Sequence, residues 1–169
     1  FERIMYNQIE TFMEQKLFKM LTGFRKNHST QNCLLNMIET WKNAVDKGKI
    51  VSAIFMDLSK AFDTLNHNLL IAKLGAYGFT NDALFFMKNY LSDRQQRVRV
   101  NSTYSSWENI TTGVPQGSIL GTLLFNIFIN DIFLFVTTST LSNYADDNTL
   151  FNYGDNVDTV FHNLTIGFG

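Results

Sequence analysis

Apolar residues recur at helical spacing in several parts of the chain, and each such stripe predicts an amphipathic helix. The first stripe runs through residues 2–20. A second helix is predicted from a cap at Ser29 or Thr30 to about Lys47. Its apolar positions, which share one face, are Leu34, Leu35, Ile38, Trp41 and Val45. Further helices are predicted over residues 67–76, from a cap at Thr80 to Leu91, and over residues 157–164.

Between these helices lie segments with the composition of β-strands. Residues 50–56 are mostly apolar and β-branched and are too few for a typical helix, which predicts a buried strand. Residues 96–100 and 107–111 alternate in polarity and predict a hairpin around Asn101 and Ser102. Helices and strands in this order predict an α+β fold whose mainly antiparallel sheet has helices packed on one face.

Residues 119–136 form a long apolar stretch that we predict to be a core helix and not a membrane span. Asn126, Asn130 and Asp131 lie in its middle, and an aspartate there costs about 2.5–3.5 kcal/mol in a bilayer. Asn126 and Asn130 share one helix face because they are four residues apart. The N-terminus is charged and lacks the apolar run of a signal peptide. We therefore expect an intracellular protein without a membrane segment.

Composition and charge add further constraints. At 169 residues and 45% apolar, the chain has enough apolar side chains for one compact piece. The single cysteine, Cys33, excludes an internal disulfide. The net charge is −1, but residues 1–49 carry +3 and residues 50–169 carry −4. A basic region beside an acidic one suits nucleic-acid contacts next to a metal site, and ordinary scatter of surface charge is an equally open explanation.

Two adjacent carboxylates, Asp146 and Asp147, stand between apolar runs in the sequence Tyr144-Ala145-Asp146-Asp147. Neighbouring side chains on a strand point to opposite faces, so only a bent hairpin tip can aim both acids toward one point. Clustered carboxylates repel each other unless a divalent cation neutralises them. The pattern therefore indicates a metal-binding hairpin, and a polar turn with two solvated acids is the alternative.

Two more features each allow a chemical and a purely structural interpretation. Asp57 follows the predicted strand over residues 50–56 and can add a third carboxylate to a two-magnesium site for phosphoryl transfer. Taken alone, it can equally cap the next turn. Pro115 is the only proline and lies in a loop between Gly113 and Gly117, where backbone and ligand can approach closely. Most such loops, however, are only turns.

Together these segments resemble the reverse transcriptase domain of non-LTR retrotransposons. The motifs that carry the resemblance are Gly23-Phe24-Arg25-Lys26-Asn27-His28-Ser29-Thr30, Phe55-Met56-Asp57-Leu58-Ser59-Lys60-Ala61-Phe62-Asp63, Pro115-Gln116-Gly117-Ser118-Ile119-Leu120-Gly121 and Tyr144-Ala145-Asp146-Asp147. The resemblance implies a palm-and-fingers polymerase fold, with a partial fingers region over residues 1–49 and a palm with the metal site over residues 50–169. It also implies RNA-directed DNA synthesis from a DNA primer on an RNA or DNA template. The implied substrates are dNTPs, and the implied cofactors are two Mg²⁺ ions, with Mn²⁺ as a substitute.

The same resemblance implies roles for individual residues. Asp57 and Asp146 are the expected ligands of both metal ions, and Asp147 is an expected outer ligand. The ring of Phe62 is expected under the incoming sugar, where it excludes ribonucleotides, and a core aromatic is the alternative for it. The full set of expected nucleotide-binding residues is Leu58, Ala61, Phe62, Gln116 and Gly117. The residues expected to contact nucleic acid are Arg25, Lys26, Arg97 and Tyr144.

The basic residues Arg94, Arg97 and Arg99 lie close together before the predicted hairpin. They can bind the phosphates of a primer–template or form a solvated strand edge, and both interpretations stay open.

The chain also departs from the family. The family carries an Arg-Pro fingers motif before the point where this sequence begins, and a palm lysine and a thumb after the point where it ends. Thr122 stands where the family usually has proline. We therefore expect the core of a larger polymerase that is completed by a thumb and an endonuclease region. A non-catalytic relic that only binds nucleic acid or acts as a scaffold is the alternative function, and a nucleotidyl cyclase is a third.

Overall fold

The computed structural model describes residues 1–167 of the chain. Its helices are α1 (Glu2–Met13), α2 (Thr30–Asp46), α3 (His67–Ala76), α4 (Asn81–Leu91), α5 (Ile119–Ile129), α6 (Ile132–Phe135) and α7 (Val157–Thr165). Its strands are β1 (Ile50–Asp57), β2 (Arg94–Gln96), β3 (Arg99–Val100), β4 (Thr103–Tyr104), β5 (Glu108–Ile110), β6 (Thr140–Tyr144) and β7 (Asp147–Gly154).

Contacts between residues divide the chain into two compact units, each built from two separate stretches of sequence. The first unit contains Phe1–Phe12 and Lys60–Phe128, and the second contains Met13–Ser59 and the residues from Ile129 onward. The sequence predicts one compact piece, whereas the two units interleave along the chain. The functional boundary between residues 49 and 50 stays a prediction.

The second unit is built on an antiparallel sheet with the strand order β1-β7-β6. The β6–β7 hairpin pairs Tyr144 with Asp147. Strand β1 pairs with β7 along its whole length, from Ile50 opposite Gly154 to Asp57 opposite Asp147. The predicted α+β class with an antiparallel sheet is therefore confirmed.

Helices pack against this sheet from both sides. Leu164 of α7 packs with Leu141 and Leu150 in a buried cluster on one face. Phe151 is the next residue along β7, so its ring lies on the opposite face. There Trp41 of α2 meets it edge-on, with the ring centroids 5.7 Å apart. The sequence predicts helices on one face, and the structure adds α2 on the other.

The exposure of apolar residues in this unit differs from the sequence expectation. The strand predicted to be buried, β1, lies at the edge of the sheet, where Ile54 is 40% and Phe55 is 71% exposed. Helix α2 starts after the predicted cap at Ser29, but its buried side carries Met37 and Ala44. The predicted apolar face of α2 is instead largely exposed, and its exposed members are Leu34, Leu35, Ile38 and Val45.

The helix predicted over residues 2–20 ends at Met13. The side chain of Asn130 accepts a hydrogen bond from the Phe18 N–H at 2.8 Å and donates one to the Lys16 carbonyl at 3.1 Å. A longer helix would use these backbone groups internally. Asn130 therefore fixes a turn where the apolar pattern alone predicts more helix.

The first unit matches its predicted elements closely. Helix α3 starts after a cap at Asn66 and α4 after a cap at Thr80, and each cap side chain accepts a backbone hydrogen bond. The hairpin around Asn101 is present but is split into two ladders, β3–β4 beside the turn and β2–β5 farther away. Between the ladders the Ser105 hydroxyl accepts the hydrogen bond of the Val98 N–H, so a side chain replaces a ladder carbonyl there.

The apolar stretch over residues 119–136 forms α5 and the short α6. Leu120, Leu124 and Ile127 are fully buried, and the predicted polar stripe of Asn126 and Asn130 is only 1% exposed. A core position is therefore confirmed for α5, whereas Leu134 and Phe135 of α6 are 65% and 54% exposed. Within residues 1–167, no helix is both long enough and apolar enough to cross a membrane.

Candidate active site

Three acidic residues lie at one end of the sheet in the second unit. Asp57 is the last residue of β1 and lies directly opposite Asp147, the first residue of β7. Tyr144 of β6 is the cross-strand neighbour of Asp147 on its other side. Because cross-strand neighbours share a face of the sheet, these three side chains line one face. Asp146 precedes Asp147 in the hairpin turn.

The turn that carries Asp146 is held by two buried asparagines. Ala145 has a φ of 58°, a left-handed conformation that is unfavourable for residues other than glycine. The Asn143 amide donates to the Ala145 carbonyl at 2.7 Å and to the Asn148 side-chain oxygen at 3.0 Å. Asn148 donates to the Asp146 carbonyl at 2.9 Å. Because both asparagines are shielded from solvent, these bonds fix the backbone on either side of Asp146.

Residues 21–23 give the turn a second support beside β6. Leu21 forms a parallel bridge to Asn143, and the Thr22 hydroxyl donates to the Asn143 carbonyl at 2.6 Å. A Cβ atom added at Gly23 would lie 2.2 Å from the backbone nitrogen and 2.7 Å from the Cα of Ala145. Only glycine fits there. The sequence shows Gly23 as part of a motif and contains no sign of its contact with Ala145.

The three carboxylates form no hydrogen bond or ion pair with any side chain in the part of the chain that the structure describes. Asp57 and Asp147 are exposed, and Asp146 is half-buried. Like charges opposite each other destabilise a sheet, and carboxylate oxygens are ligands that Mg²⁺ prefers. The donor set therefore fits a hard divalent cation. Among residues 1–167, no three acidic, histidine or cysteine side chains converge closely enough to hold one ion, so the full ligand set stays a prediction.

In the first unit, hydrogen bonds tie the Pro-Gln-Gly loop to the segment that carries Phe62. The Val114 N–H donates to the Phe62 carbonyl at 2.9 Å, and the Gln116 amide donates to Asp63 Oδ1 at 2.8 Å. A Cβ atom added at Gly113 would lie 2.6 Å from the Asp63 carbonyl oxygen, so the loop needs glycine to approach this closely. Two of the predicted nucleotide-binding residues, Phe62 and Gln116, are thereby brought together.

The predicted nucleotide-binding residues differ in their exposure. Phe62 is half-buried and stacks on the buried ring of Phe125, with centroids 4.3 Å apart and 27° between the ring planes. Ala61 is also half-buried, whereas Gln116 and Gly117 are exposed in the same unit. Leu58 is exposed as well and belongs to the second unit. The stacking of Phe62 is compatible with both a core role and a sugar contact, and each residue stays a predicted ligand contact.

The start of α5, directly after the Pro-Gln-Gly loop, is held by Glu2. Its carboxylate accepts hydrogen bonds from the Tyr90 hydroxyl at 2.6 Å and from the Ile119 N–H at 2.9 Å. These bonds, the one from Tyr90 first, lower the pKa of Glu2. Burial, followed by the hydrogen bond to Glu2, raises the pKa of Tyr90 to about 12. The pair positions the loop, and no motif in the sequence marks either residue.

Among the predicted nucleic-acid contacts, Arg25 forms hydrogen bonds and a salt bridge within the protein. Its side chain is 7% exposed and forms a salt bridge with Glu14 at 2.6 Å. It also donates to the carbonyls of Phe18 and Leu21 at 2.8 Å and 3.0 Å. These partners give the Arg25 guanidinium a role inside the protein, and its contact with nucleic acid stays a prediction. Lys26 is exposed, and its phosphate contact stays a prediction, as does the contact of Tyr144.

Arg97 lies on an aromatic cluster at the β3–β4 hairpin. Its guanidinium carbon is 3.9 Å from the ring centroid of Tyr104 and 4.5 Å from that of Trp107. Both rings are exposed, and Arg99 lies 5.4 Å from the Tyr104 centroid. Aromatic rings and arginine side chains are the groups on which unpaired bases stack. The sequence shows the charges, but the two rings become their partners only through the hairpin fold.

Known proteins resemble this chain in sequence and in fold. The family model described as reverse transcriptase (RNA-dependent DNA polymerase) matches residues 1–164. The chain is 35% identical over 133 residues to a probable RNA-directed DNA polymerase from transposon BS of Drosophila melanogaster, a match that covers 78% of this chain and 15% of that protein. It is 33% identical over 155 residues to a probable RNA-directed DNA polymerase from transposon X-element of the same organism, covering 87% of this chain and 17% of that protein.

Among solved structures, the chain is similar to apo telomerase from Candida tropicalis truncated from its C-terminal domain. The TM-score is 0.61 and the identity 18%, over 97% of this chain and 35% of that one. At this identity the similarity shows the fold alone. The chain spans less than a fifth of the length of the two transposon relatives.

Proposed function

The chain belongs to the reverse transcriptase family and has its palm-and-fingers fold, and we propose that it is the core of an RNA-directed DNA polymerase. The proposed reaction is attack of a DNA primer 3′-hydroxyl on the α-phosphate of a dNTP, directed by an RNA or DNA template. One observation supports it most directly. Asp57 lies opposite Asp147, Asp146 occupies the adjoining turn, and no described side chain neutralises the three charges.

We assign Asp57 and Asp146 as ligands shared by two Mg²⁺ ions, with Mn²⁺ as a substitute, and Asp147 as an outer ligand. Cations held by these three carboxylates would lower the pKa of the primer hydroxyl and would stabilise the leaving pyrophosphate. The surrounding residues hold the proposed ligand Asp146 in position. The backbone of Asp146 is fixed by Asn148, and the turn cannot shift toward Gly23 because the two backbones are already in contact.

We assign the nucleotide to residues of the Pro-Gln-Gly loop and of the segment that follows β1. Phe62 is proposed to lie under the sugar, where its ring, held by stacking on Phe125, leaves no room for a 2′-hydroxyl. Gln116 is exposed and held in place by Asp63, which supports a contact with the nucleotide. Three further residues are proposed to contact it, namely Leu58, Ala61 and Gly117.

The single-stranded part of the template is assigned to the aromatic cluster around Arg97. Stacking of one base on an aromatic ring contributes about 1–3 kcal/mol. Trp107→Ala is therefore expected to weaken the binding of single-stranded RNA by about tenfold, measured by fluorescence anisotropy. Phe85→Ala, which removes an exposed ring from α4, is the matched control and is expected to bind as the unchanged chain does. Lys26 and Tyr144 are proposed as further contacts.

Primer extension tests the proposed activity. The assay contains an RNA template, a DNA primer, dNTPs and Mg²⁺, and it compares the unchanged chain with Asp146→Asn and Asp155→Asn. Asp155 is an exposed acid beyond the far end of β7, so its variant makes the same change in charge away from the site. We expect extension that Asp146→Asn abolishes and Asp155→Asn retains. A folded chain that binds primer–template but extends it with neither Mg²⁺ nor Mn²⁺ would leave a non-catalytic relic and an incomplete polymerase core as explanations. Repeating the assay with the flanking segments restored distinguishes them, because only an incomplete core would then extend the primer.

A further inference from the structure

A cavity of about 590 Å³ lies in the first unit, between the β2–β5 ladder and the Pro-Gln-Gly loop. Cavities of roughly 300–1,000 Å³ are typical of small-ligand sites. Polar side chains from both sides line this cavity, among them Lys60, Asp63, Arg94, Asn109 and Gln116. It therefore lies beside the proposed nucleotide contacts and includes residues to which no role has been assigned.

Arg94 is the unusual member of this lining. It opens β2, opposite Ile110, and its Nη1 atom is buried without a hydrogen-bond partner. No carboxylate within residues 1–167 forms a salt bridge with it. The residue as a whole is half-buried. A buried guanidinium nitrogen without a hydrogen-bond partner destabilises the folded protein, and an oxygen atom of a bound anion would supply that partner. Arg97 and Arg99 lie instead against exposed aromatic rings, so the structure separates Arg94 from its neighbours in the sequence.

Lys60 places a second cation at the same cavity. Its φ of 53° is a conformation that lysine rarely adopts, and its carbonyl accepts hydrogen bonds from the Asp63 and Thr64 N–H groups at 2.9 Å and 3.0 Å. Asp63 is the one carboxylate among the described residues of the lining, and the Gln116 amide already engages it. The cavity therefore presents two cations against a single, hydrogen-bonded carboxylate.

We propose that this cavity binds a phosphate group between the guanidinium of Arg94 and the ammonium of Lys60. The guanidinium offers several N–H donors in a planar fork that matches phosphate oxygens, and the ammonium adds a point charge. A nucleoside triphosphate and a nucleic-acid backbone carry the same group. The inference rests on the proposed function only for the source of the phosphate, because binding itself requires no catalysis.

Binding of two probes without divalent metal tests the proposal. The first probe is inorganic tripolyphosphate, measured by titration calorimetry. The second is a labelled RNA–DNA primer–template with a single-stranded overhang, measured by fluorescence anisotropy. Arg94→Met is compared with Arg3→Met, which makes the same change at an exposed position of α1 in the same unit. We expect Arg94→Met to weaken the binding of at least one probe by tenfold or more, and Arg3→Met by less than twofold.

The two probes identify the source of the phosphate. A loss confined to tripolyphosphate assigns the cavity to the nucleotide, and a loss confined to the primer–template assigns it to the backbone. Equal binding of both probes by Arg94→Met and Arg3→Met would overturn the proposal. Because no metal or dNTP is present, an absence of primer extension does not affect this test.

Thermal unfolding separates a binding role from a structural one. Arg94→Met removes a buried nitrogen that has no hydrogen-bond partner, so its melting temperature should be no lower than that of Arg3→Met. A lower melting temperature with unchanged probe binding would show a structural role and contradict the proposal. If Arg94→Met does not fold, Arg94→Lys replaces it, since lysine keeps the charge but loses the planar fork. We then expect binding to weaken by about threefold or more, and unchanged binding would refute the site.

Discussion

One methyl group at Gly23 is expected to disturb the acidic end of the sheet. An added Cβ would lie 2.2 Å from the nitrogen and 2.7 Å from the Cα of Ala145, and both distances are too short for atoms that are packed against each other without a bond. Either residues 21–23 or the Ala145 turn must move to relieve the overlap. Asp146 follows Ala145 directly, so a shift of the turn also displaces a proposed metal ligand.

The size of the effect follows from two opposing terms. Overpacking a tightly packed site costs about 1–3 kcal/mol. Replacing glycine by alanine also restricts the unfolded chain, which offsets about 0.4–1 kcal/mol of that cost. Taking the middle of each range, we expect Gly23→Ala to lower the free energy of unfolding by about 1.3 kcal/mol. For a domain of this length, the melting temperature should fall by roughly 3–5 °C.

Gly75→Ala is the matched control for this variant. It adds the same methyl group within α3, where the nearest side-chain atom, Leu84 Cδ1, lies at an ordinary 3.5 Å. Alanine is favoured over glycine inside a helix by about 0.5–1 kcal/mol, so this variant should be at least as stable as the unchanged chain. Thermal unfolding followed by circular dichroism measures both variants. Primer extension well below the melting temperature should fall more than tenfold in Gly23→Ala only.

The result that refutes this reasoning is equal behaviour of the two glycine variants. If Gly23→Ala melts no lower than the unchanged chain and extends primers as well as Gly75→Ala does, the contact with Ala145 is not rigid. A lower melting temperature with full extension would show that residues 21–23 move and that the turn does not.

Three further changes test other parts of the structure. Tyr90→Phe should reduce the loss of stability at alkaline pH. The pKa of Tyr90 is raised from 10.0 to about 12, so the hydroxyl loses its proton at a lower pH in the unfolded chain than in the folded one. Stability is therefore lost as the pH rises through that range. Urea unfolding of Tyr90→Phe and of the unchanged chain at pH 9 to 11 measures the difference. Asn143→Ala removes two donated hydrogen bonds and should cost about 1–3 kcal/mol in urea unfolding, whereas Asn68→Ala, at an exposed position of α3, should cost little. Phe62→Ala should raise ribonucleotide incorporation in primer extension and Phe62→Tyr should not; unchanged sugar discrimination in Phe62→Ala would exclude the sugar contact.

Structural features that depend on residues close together in the sequence can be predicted well for this chain. Thr80 caps α4 through a hydrogen bond from the Ala83 N–H, three residues away. Such a bond needs only local geometry, so the start of the helix can be predicted from the residue types alone. The same holds for Ser29 at α2 and for the hairpin that carries Asp146.

Contacts between distant segments could not be predicted in this way. A basic loop looks the same in sequence whether Arg25 is solvated or bonded to Glu14, and only the folded chain brings these two together. Helical periodicity identifies the apolar face of α2, but the side that becomes buried carries Met37 and Ala44. Periodicity records the hydrophobicity of a face and not the shape of the surface that it meets.

The candidate site contains features that local sequence predicts and contacts that only the fold creates. The acids could be recognised because each follows or interrupts an apolar run, at Asp57 and at Asp146. The register that sets Asp57 opposite Asp147 depends on how β1 aligns with β7, and the sequence does not specify that alignment. Asn148 and Gly23 support the turn through contacts that only a three-dimensional arrangement reveals.

The acidic end of the sheet also has a consequence for the order in which the chain folds. The β6–β7 hairpin closes a short loop, whereas Thr22 and Asn143, which hydrogen-bond to each other, are 121 positions apart. Closing long loops is entropically unfavourable and slow, so we expect the hairpin to form early and β1 and residues 21–23 to join it late. A nascent chain therefore carries Asp146 and Asp147 on a finished hairpin before Asp57 reaches them. The three acids therefore come together only when the second unit is complete, and we expect incompletely folded chains to lack the proposed metal site.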